Sequence, residues 1–521
     1  MPFLHAWRDG AQEAAIKAEI QRLAPDLFVF ASSEVWPVIR QYERTTAAIL
    51  NGYVHPRVAG YLGALEDRVA TQGVPTRPLL TKSNGGVMNA AEGKTACVNM
   101  LLSGTASEVT GAAWLARQAG EDKVLTLDIG GTSADFALIV DGTAQFGTGE
   151  LVGEFPLHIP SVSVNSIGIG GGSIAWIDDH GVFRVGPDSA GSSPGPACYG
   201  RSGTKATVTD AMADCGWLGH AEMAYGQLDM DPALARAAVG ELTAILERPL
   251  AETAQAILDI AVSEMFVEVE KLAPRAGVDL REFTLMPFGG GPMLGAFLAQ
   301  EMGISHVMAP RRPGVVSALG GLVADLRGDF IRRVFALPSP EVLPGLRTSL
   351  ADLIAEGRQW LTHQGHDGAV DLILSADMRY HGQIYEIEVT LDPAWIEAGD
   401  LGAIAAAFNA THARIYDFDD PAGTVEMVNL RLTAIGAGPA LQLPEAEEAK
   451  TAATALKSVR VHTGGAEQDV NLYSRDDLTP GTRFEGPAVV VQEDTTVAIP
   501  PGALALVERH LNLHLQIEER A

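Results

Sequence analysis

The stretch TLDIGGTSADFALI, residues 126–139, constrains the fold of this chain more than any other part of its sequence. Two apolar runs flank Gly130 and Gly131, and glycine lets the backbone turn there without obstruction from a Cβ atom. The pattern therefore predicts a β-hairpin that begins near Lys123 and has its tip at the two glycines.

The tip of this hairpin is a candidate anion site, because exposed backbone N–H groups in a turn can converge on phosphate oxygens. The residues that we predict to bind phosphate are Gly130, Gly131, Thr132 and Ser133. Asp128 and Asp135 bracket the turn and are the predicted catalytic residues, with Asp128 as the predicted ligand of Mg²⁺, directly or through water. Taken alone, the pattern is also that of an ordinary hairpin with a glycine tip.

Two further glycine clusters stand at predicted strand boundaries, one in NSIGIGGGSIAWID and one in FGGGPMLGAFLAQEMGI. The cluster in the second stretch precedes a predicted helix, whose N-terminal N–H groups favour an anion or a nucleotide edge. We predict that both clusters border a nucleotide cleft and bind the nucleotide cofactor. The residues concerned are Gly170, Gly171, Gly172, Gly289, Gly290 and Gly291. Between them, the Pro- and Gly-rich residues 185–201 predict a long ordered loop, and the reactive-looking residues in and after it are Tyr199, Arg201 and Asp210.

The composition excludes several classes of partner. Asp and Glu number 65 against 37 Lys and Arg, which gives a net charge of −28 and disfavours nucleic acid and anionic membranes. No apolar run approaches the length of a membrane span, and the N-terminal residues lack the apolar core of a secretory signal, so we expect a cytoplasmic protein. The three cysteines, Cys97, Cys198 and Cys215, show neither disulfide nor zinc spacing.

Several stretches in order along nearly the whole chain resemble the hydantoinase A / 5-oxoprolinase family, which includes subunits of acetone and acetophenone carboxylases. The stretches that carry the resemblance include SSEVWPVIRQYERTTAAILNGY, TKSNGGVM, LDIGGTSADFALI, VGPDSAGSSPGPACYGR, RRPGVVSALGGLVADLRGDF and GPAVVVQEDTTVAIPPG. One position departs from the family pattern, because Gly295 stands where relatives commonly have a His in FGGxGPLHA.

The resemblance implies an α/β fold with actin-like ATPase lobes of the ASKHA, ribonuclease H-like type, and a β-rich C-terminal domain. It assigns residues 1–122 to a partial first lobe, 123–335 to the second lobe with the nucleotide loops, and 346–521 to the C-terminal domain. The first lobe is expected to be incomplete, because relatives begin with another DxGGTxTD hairpin and the DxGG element here is at Asp128. Three explanations for the missing hairpin are left open. A separate polypeptide supplies it, the chain is truncated, or the chain has lost catalysis.

The resemblance also implies the chemistry. Relatives use ATP with Mg²⁺ or Mn²⁺ to phosphorylate the carbonyl oxygen of a small cyclic amide, such as hydantoin, N-methylhydantoin or 5-oxoproline, so that water can attack the activated carbon. The chain would be the ATP-binding subunit of such a hydrolase, with Gly289–Gly291 near the adenosine and a hydantoinase B-like subunit as partner. A subunit of an ATP-dependent ketone carboxylase and a non-catalytic scaffold subunit are the alternatives.

Overall fold

The computed structural model describes residues 2–37, 41–147, 150–220, 226, 229–448 and 452–518. Its α-helices are α1 Ala11–Leu23, α2 Ser32–Val35, α3 Gln41–Thr71, α4 Ala90–Gly93, α5 Ser103–Ala119, α6 Val208–Asp214, α7 Pro232–Leu246, α8 Leu250–Glu270, α9 Leu272–Ala276, α10 Gly295–Met302, α11 Val316–Val323, α12 Leu343–His363, α13 Pro393–Ala398 and α14 Leu401–Tyr416. No described helix is both long enough and apolar enough to cross a lipid bilayer.

The strands are distributed along the whole described chain. They are β1 Leu79–Thr81, β2 Val87–Asn89, β3 Val124–Ile129, β4 Ala134–Val140, β5 Thr143–Ala144, β6 Phe146–Gly147, β7 Glu150–Val152, β8 Phe155–Leu157, β9 Ser161–Val162, β10 Asn165–Ile167, β11 Ser173–Ile177, β12 Phe183–Ser189, β13 Thr284–Gly289, β14 His306–Ala309, β15 Leu326–Ala336, β16 Val370–Tyr380, β17 Ile387–Thr390, β18 Val425–Gly436, β19 Lys457–Thr463, β20 Ala466–Ser474, β21 Arg483–Glu485, β22 Ala488–Val491, β23 Thr496–Ile499, β24 Ala503–Val507 and β25 Leu513–Ile517. The fold is therefore mixed α/β, as the sequence predicted.

The chain folds into two units, each assembled from three segments. Unit 1 comprises Met1–Thr110, Phe146–Ser163 and Gly321–Ala440, and unit 2 comprises Gly111–Gln145, Val164–Gly320 and Leu441–Ala521. The domain limits inferred from the sequence, 1–122, 123–335 and 346–521, stay predictions.

The main sheet of unit 2 has the strand order β10-β4-β3-β13-β14-β25-β24-β21. Strands β10, β4 and β3 form an antiparallel meander, and β13 and β14 then run parallel to β3. The side chains of β3 and β13 are almost all buried, which accounts for their nearly continuous apolar sequences. The predicted hairpin at residues 123–140 is confirmed, and it lies in the middle of this sheet.

The main sheet of unit 1 has the strand order β1-β2-β15-β18-β16-β17. Its long strands β15, β16 and β18 pair antiparallel, and α12 and α14 contribute Leu346, Leu350, Ile404 and Phe408 to the core that covers them. A smaller apolar cluster of unit 1 contains Trp36.

Three local predictions are corrected by the structure. The Pro- and Gly-rich residues 185–201 were expected to be loop throughout, but Phe183–Ser189 forms strand β12, which pairs with β11. The sequence also predicts one helix from Ser32 and another over residues 57–72, but a single helix, α3, covers residues of both and continues through Pro56. The apolar run from Leu27 to Ala31 predicts a strand, but the structure has none there. Residues 38–40, within the helix predicted from Ser32, lie outside the described residues.

Candidate functional site

The glycine bend between β3 and β4 is exposed and closed by one backbone hydrogen bond. The amide of Gly130 donates to the carbonyl oxygen of Ser133 at 2.9 Å. Gly130, Gly131 and Thr132 are exposed, whereas the strands on either side are buried. The amides of Gly131, Thr132 and Ser133 donate no hydrogen bond to any described residue. The bend therefore has three backbone donors without an acceptor among the described residues, and those of Gly131 and Thr132 belong to exposed residues.

The second glycine cluster holds the bend from behind. Gly171 donates its amide to the carbonyl oxygen of Gly130 at 2.9 Å, and Gly172 donates to that of Gly131 at 2.7 Å. A Cβ atom on Gly170 would lie 2.7 Å from the Gly130 oxygen, so only glycine fits this close approach. The amides of Gly171 and Gly172 are thus engaged within the protein, and the loop fixes the shape of the bend.

The third cluster joins the bend from the end of β13. The amide of Gly290 donates to the carbonyl oxygen of Ile129 at 2.9 Å. Gly289 has φ +58°, and a Cβ atom there would lie only 2.0 Å from Oδ1 of Asp128. Gly291 is buried with its Cα against the carbonyl oxygen of Leu127. These contacts bring the ends of β3 and β13 together with no side chain between them.

A cavity of about 560 Å³ opens beside the bend, and all its lining residues belong to unit 2. The predicted site residues that line it are Gly130, Gly131, Thr132, Gly171, Gly172, Gly289 and Gly290. Those that do not line it are Asp128, Ser133, Asp135, Gly170 and Gly291. Arg201 contributes the cationic side chain of the lining, and its exposure leaves the guanidinium able to meet an anion.

Asp128 and Asp135 form a directly opposed pair on β3 and β4. Both residues are half-buried, and Oδ1 of Asp135 is buried without a hydrogen-bond partner among the described residues. A carboxylate oxygen without a hydrogen-bond partner, next to a second carboxylate, can serve as a ligand of Mg²⁺ or Mn²⁺, because both ions prefer oxygen ligands. The pair therefore fits the divalent cation that the sequence predicted.

Asp210 organises the loop that contributes Tyr199 and Arg201 to the lining. Its carboxylate accepts hydrogen bonds from the amides of Ala197, Cys198 and Thr207, at 3.2, 2.8 and 3.0 Å, and from the Thr207 hydroxyl at 2.8 Å. The side chain is fully buried, so Asp210 supports the loop and does not face the cavity. Burial raises the pKa of Tyr199 to about 12, which keeps the phenol protonated.

A second group that could hold a metal by residue type consists of Glu121, His306 and His514. Thr284 Oγ1 donates to Glu121 Oε2 at 2.7 Å and lies 3.1 Å from His306 Nδ1, while His306 Nε2 lies 2.9 Å from His514 Nδ1. Burial, aided by the neighbouring His306, lowers the pKa of His514 to about 4. The group is therefore a chain of hydrogen bonds between neutral imidazoles.

Comparison with known proteins decides the family. The family model described as hydantoinase/oxoprolinase matches residues 44–330, and the model of its C-terminal domain matches residues 343–518. This chain belongs to the hydantoinase/oxoprolinase family. An uncharacterized protein of Methanocaldococcus jannaschii is 31% identical over 99% of this chain and 76% of its own length.

Members of the hydantoinase/oxoprolinase family with assigned activities are also similar to this chain. The caprolactamase subunit alpha of Pseudomonas jessenii is 30% identical over 96% of this chain and 73% of its own length. The crystal structure of that ATP-dependent caprolactamase superposes with a TM-score of 0.86 at 28% identity, covering 98% of this chain and 75% of that one. The acetophenone carboxylase gamma subunit of Aromatoleum aromaticum is 28% identical over 92% of this chain and 68% of its own.

Two features of this hydantoinase/oxoprolinase chain were not evident from its glycine motifs. Gly295 begins α10 with its Cα against Pro287, where a Cβ atom would lie 2.8 Å from the proline ring, so the position cannot accept an imidazole without displacement of Pro287. Asp494 and Thr495 line the cavity although they lie about 200 residues after Gly289 along the chain. The stretch VVQEDTTVAIPPG was a signal for them, since it is part of the family resemblance.

Proposed function

We propose that this chain is the ATP-binding subunit of an enzyme that hydrolyses a cyclic amide by phosphate activation of its carbonyl group. The observation that carries the proposal is the exposed bend, where Gly131 and Thr132, whose amides are unengaged, line a cavity together with other glycines. The similarity to a caprolactamase subunit supports cyclic amides as the substrate class.

Each part of the site has a role in this proposal. The amides of Gly131 and Thr132 would bind the terminal phosphates together with the Arg201 guanidinium, because charge-assisted hydrogen bonds to phosphate are strong. Asp128 and Asp135 would hold Mg²⁺, directly or through water, and the metal would neutralise phosphate charge. Gly289 and Gly290 would adjoin the adenosine. The meander β10-β4-β3 followed by parallel β13 and β14 supports an actin-like lobe of the ribonuclease H-like type.

The proposed reaction replaces a poor leaving group by a good one. The amide oxygen takes the terminal phosphoryl group of ATP, and ADP leaves. One water then adds to the activated carbon and the ring C–N bond breaks, which gives an amine and an acyl phosphate. A second water hydrolyses the acyl phosphate to a carboxylate and phosphate. The protein contributes positioning and charge neutralisation to the transfer. A hydantoinase B-like subunit is the proposed partner, and the similarity to a caprolactamase subunit alpha supports a complex.

The test measures phosphate release by the complex of this chain with its hydantoinase B-like partner, with ATP and Mg²⁺. We expect ε-caprolactam, hydantoin or 5-oxoproline to stimulate release, and Arg201→Ala to reduce it by about tenfold or more. Arg184→Ala is the matched control, because Arg184 pairs with Asp178 and does not line the cavity. No stimulation by any of the three would count against the proposal. Phosphate release that depends on bicarbonate would instead identify a ketone carboxylase. A complex that binds no nucleotide would identify a scaffold subunit.

A further inference from the structure

Several stretches of the sequence that the proposed nucleotide site does not use meet around a second cavity. Its volume is about 480 Å³, and all its lining residues belong to unit 1. The lining includes Trp36 after α2, Lys82 after β1, Glu92 on α4, Asp329 on β15 and Trp360 on α12. Trp36, Lys82 and Asp329 come from SSEVWPV, TKSNGGVM and RGDF, which are parts of the family resemblance.

Trp36 offers this cavity a donor without an acceptor. Its side chain is buried, with 7% of its surface exposed, and its indole Nε1 has no hydrogen-bond partner among the described residues. A buried N–H group left without an acceptor destabilises the folded state, so such a group in a residue that lines a cavity points to a ligand that supplies the acceptor. The acceptor required is an oxygen such as that of a carbonyl group.

Lys82 offers further donors next to an acceptor. Its Nζ donates to the carbonyl oxygen of Arg327 at 2.8 Å, and an ammonium group has three N–H bonds, so two remain without an acceptor among the described residues. Oε1 of Glu92 lies 4.0 Å from this nitrogen, too far for a hydrogen bond. Glu92 accepts from Trp360 and from Gln364 through its other oxygen, at 2.7 and 2.5 Å, which leaves Oε1 available.

The charges and walls of the cavity define the class of ligand. Carboxylates outnumber cations in the lining, where Glu34, Glu92, Asp329 and Glu356 face Lys82 and Arg332. An anionic ligand is therefore disfavoured, and the choice of a neutral ligand over a cation rests on the proposed function. Two indole groups contribute flat apolar surface for a small ring. The free groups are donors for a carbonyl oxygen and one adjacent acceptor for an N–H group.

We propose that this cavity binds a small neutral cyclic amide, with Trp36 Nε1 and Lys82 Nζ as donors to its carbonyl oxygen and Glu92 Oε1 as acceptor from its N–H group. A ring forces the amide N–H and C=O onto the same edge of the molecule, which matches a donor beside an acceptor. An open-chain trans amide places them on opposite edges. The choice of this ligand class rests on the proposed function. The cavity and the unpaired groups in its lining are observed independently of that function.

The test is an NMR titration of the full chain without nucleotide, with the tryptophan indoles labelled with ¹⁵N. The chain has seven tryptophans, and Trp36→Phe assigns the resonance of Trp36. We expect 2-piperidinone to shift this resonance saturably and Trp36→Phe, which keeps the aromatic ring, to weaken binding about five- to tenfold. Trp395→Phe is the matched control, because Trp395 packs in the other core of unit 1 and does not line the cavity.

The wild-type chain gives a second comparison that needs no variant. N-methyl-2-piperidinone lacks the N–H donor, and N-methylacetamide is a trans amide, so we expect both to bind at least about fivefold more weakly than 2-piperidinone. The proposal is overturned if 2-piperidinone gives no saturable shift at Trp36, if Trp36→Phe binds it as tightly as the wild type, or if N-methylation has no effect. Since ATP is absent, a failure here is distinct from a failure of amide-stimulated ATP hydrolysis.

Discussion

Asp128 and Asp135 lie directly opposite each other on β3 and β4, and the buried Oδ1 of Asp135 accepts no hydrogen bond from the described residues. Two carboxylates in this arrangement repel each other unless a cation lies between or beside them. Both residues are half-buried beside the turn of the hairpin, and their mutual repulsion is therefore a cost to folding that a metal ion would offset.

The first prediction concerns this pair. We expect Asp135→Asn to lower Mg²⁺-dependent ATP turnover at least about tenfold, because the variant loses one of two anionic ligands. The free energy of unfolding without metal should stay the same or rise by up to about 1 kcal/mol, since the repulsion is relieved. Turnover at increasing Mg²⁺ and urea denaturation measure the two effects. Asp141→Asn, at the exposed turn after β4, is the control, and equal losses in both variants would contradict the assignment.

The second prediction tests the close approach of two glycine loops. Gly170→Ala would place a methyl group 2.7 Å from the carbonyl oxygen of Gly130, so we expect a loss of about 1–3 kcal/mol in the free energy of unfolding. Gly131→Ala is the matched control, because no atom lies within 4 Å of its added Cβ, and it should change stability by less than about 0.5 kcal/mol. Urea denaturation of both variants makes the comparison, and a Gly170→Ala protein of wild-type stability would show that the loops can separate.

The third prediction separates support of a loop from participation in chemistry. Asp210→Asn replaces one acceptor oxygen by an NH₂ group that faces N–H donors, so we expect a loss of about 2–4 kcal/mol in stability. Asp188→Asn, on an exposed position of β12, should be neutral within about 0.5 kcal/mol. Thermal and urea unfolding are the measurements. An Asp210→Asn protein that is fully stable but inactive would instead indicate a direct catalytic role.

The fourth prediction is a pH dependence of stability. Because the pKa of His514 falls from 6.5 to about 4 on folding, the unfolded chain binds the proton more readily. The stabilisation is therefore complete above about pH 6.5 and is lost as the pH falls towards 4, by roughly 1–3 kcal/mol. The groups that face His514 are Glu121, His306 and Arg475, and of these His306 also has its pKa lowered by burial.

His514→Gln removes this titration, so its free energy of unfolding should decline less between pH 6.5 and 4 than that of the wild type. Urea denaturation at half-unit pH steps provides the two curves. His381→Gln, at an exposed residue just after β16, should follow the wild-type curve. Parallel curves for His514→Gln and the wild type would mean that His514 does not contribute.

The hairpin at residues 123–140 could be predicted from the sequence because its signal is local. Two apolar runs and two glycines specify strand, turn and strand without reference to the rest of the chain. The spacing of residues 11–23 and the small residues of 103–119 likewise predict two helices, and α1 and α5 have these limits. Where tertiary contacts override local preference, the prediction failed, as in β12, which contains Pro187 yet pairs with β11.

The assembly of the site could be predicted only in part. The glycine clusters were identified by their composition, but composition does not reveal that Gly171 and Gly172 donate their amides to the bend. Nor does it show that Asp210 is fully buried in the first turn of α6, or that Asp494 joins the lining from the C-terminal segment. These relations depend on long-range packing, for which a single sequence carries no periodic signal.

The carbonyl oxygens of Gly130 and Gly131 both accept hydrogen bonds from the glycine loop behind them. Neither peptide plane can rotate to direct its oxygen outward without breaking such a bond. The two carbonyl oxygens therefore stay on the inner side of the bend. A molecule that approaches the outer side of the bend meets the unengaged N–H groups of Gly131 and Thr132, although the protein as a whole carries a net charge of −28. Because these groups are already held in place, the bend requires no further ordering when an anion arrives.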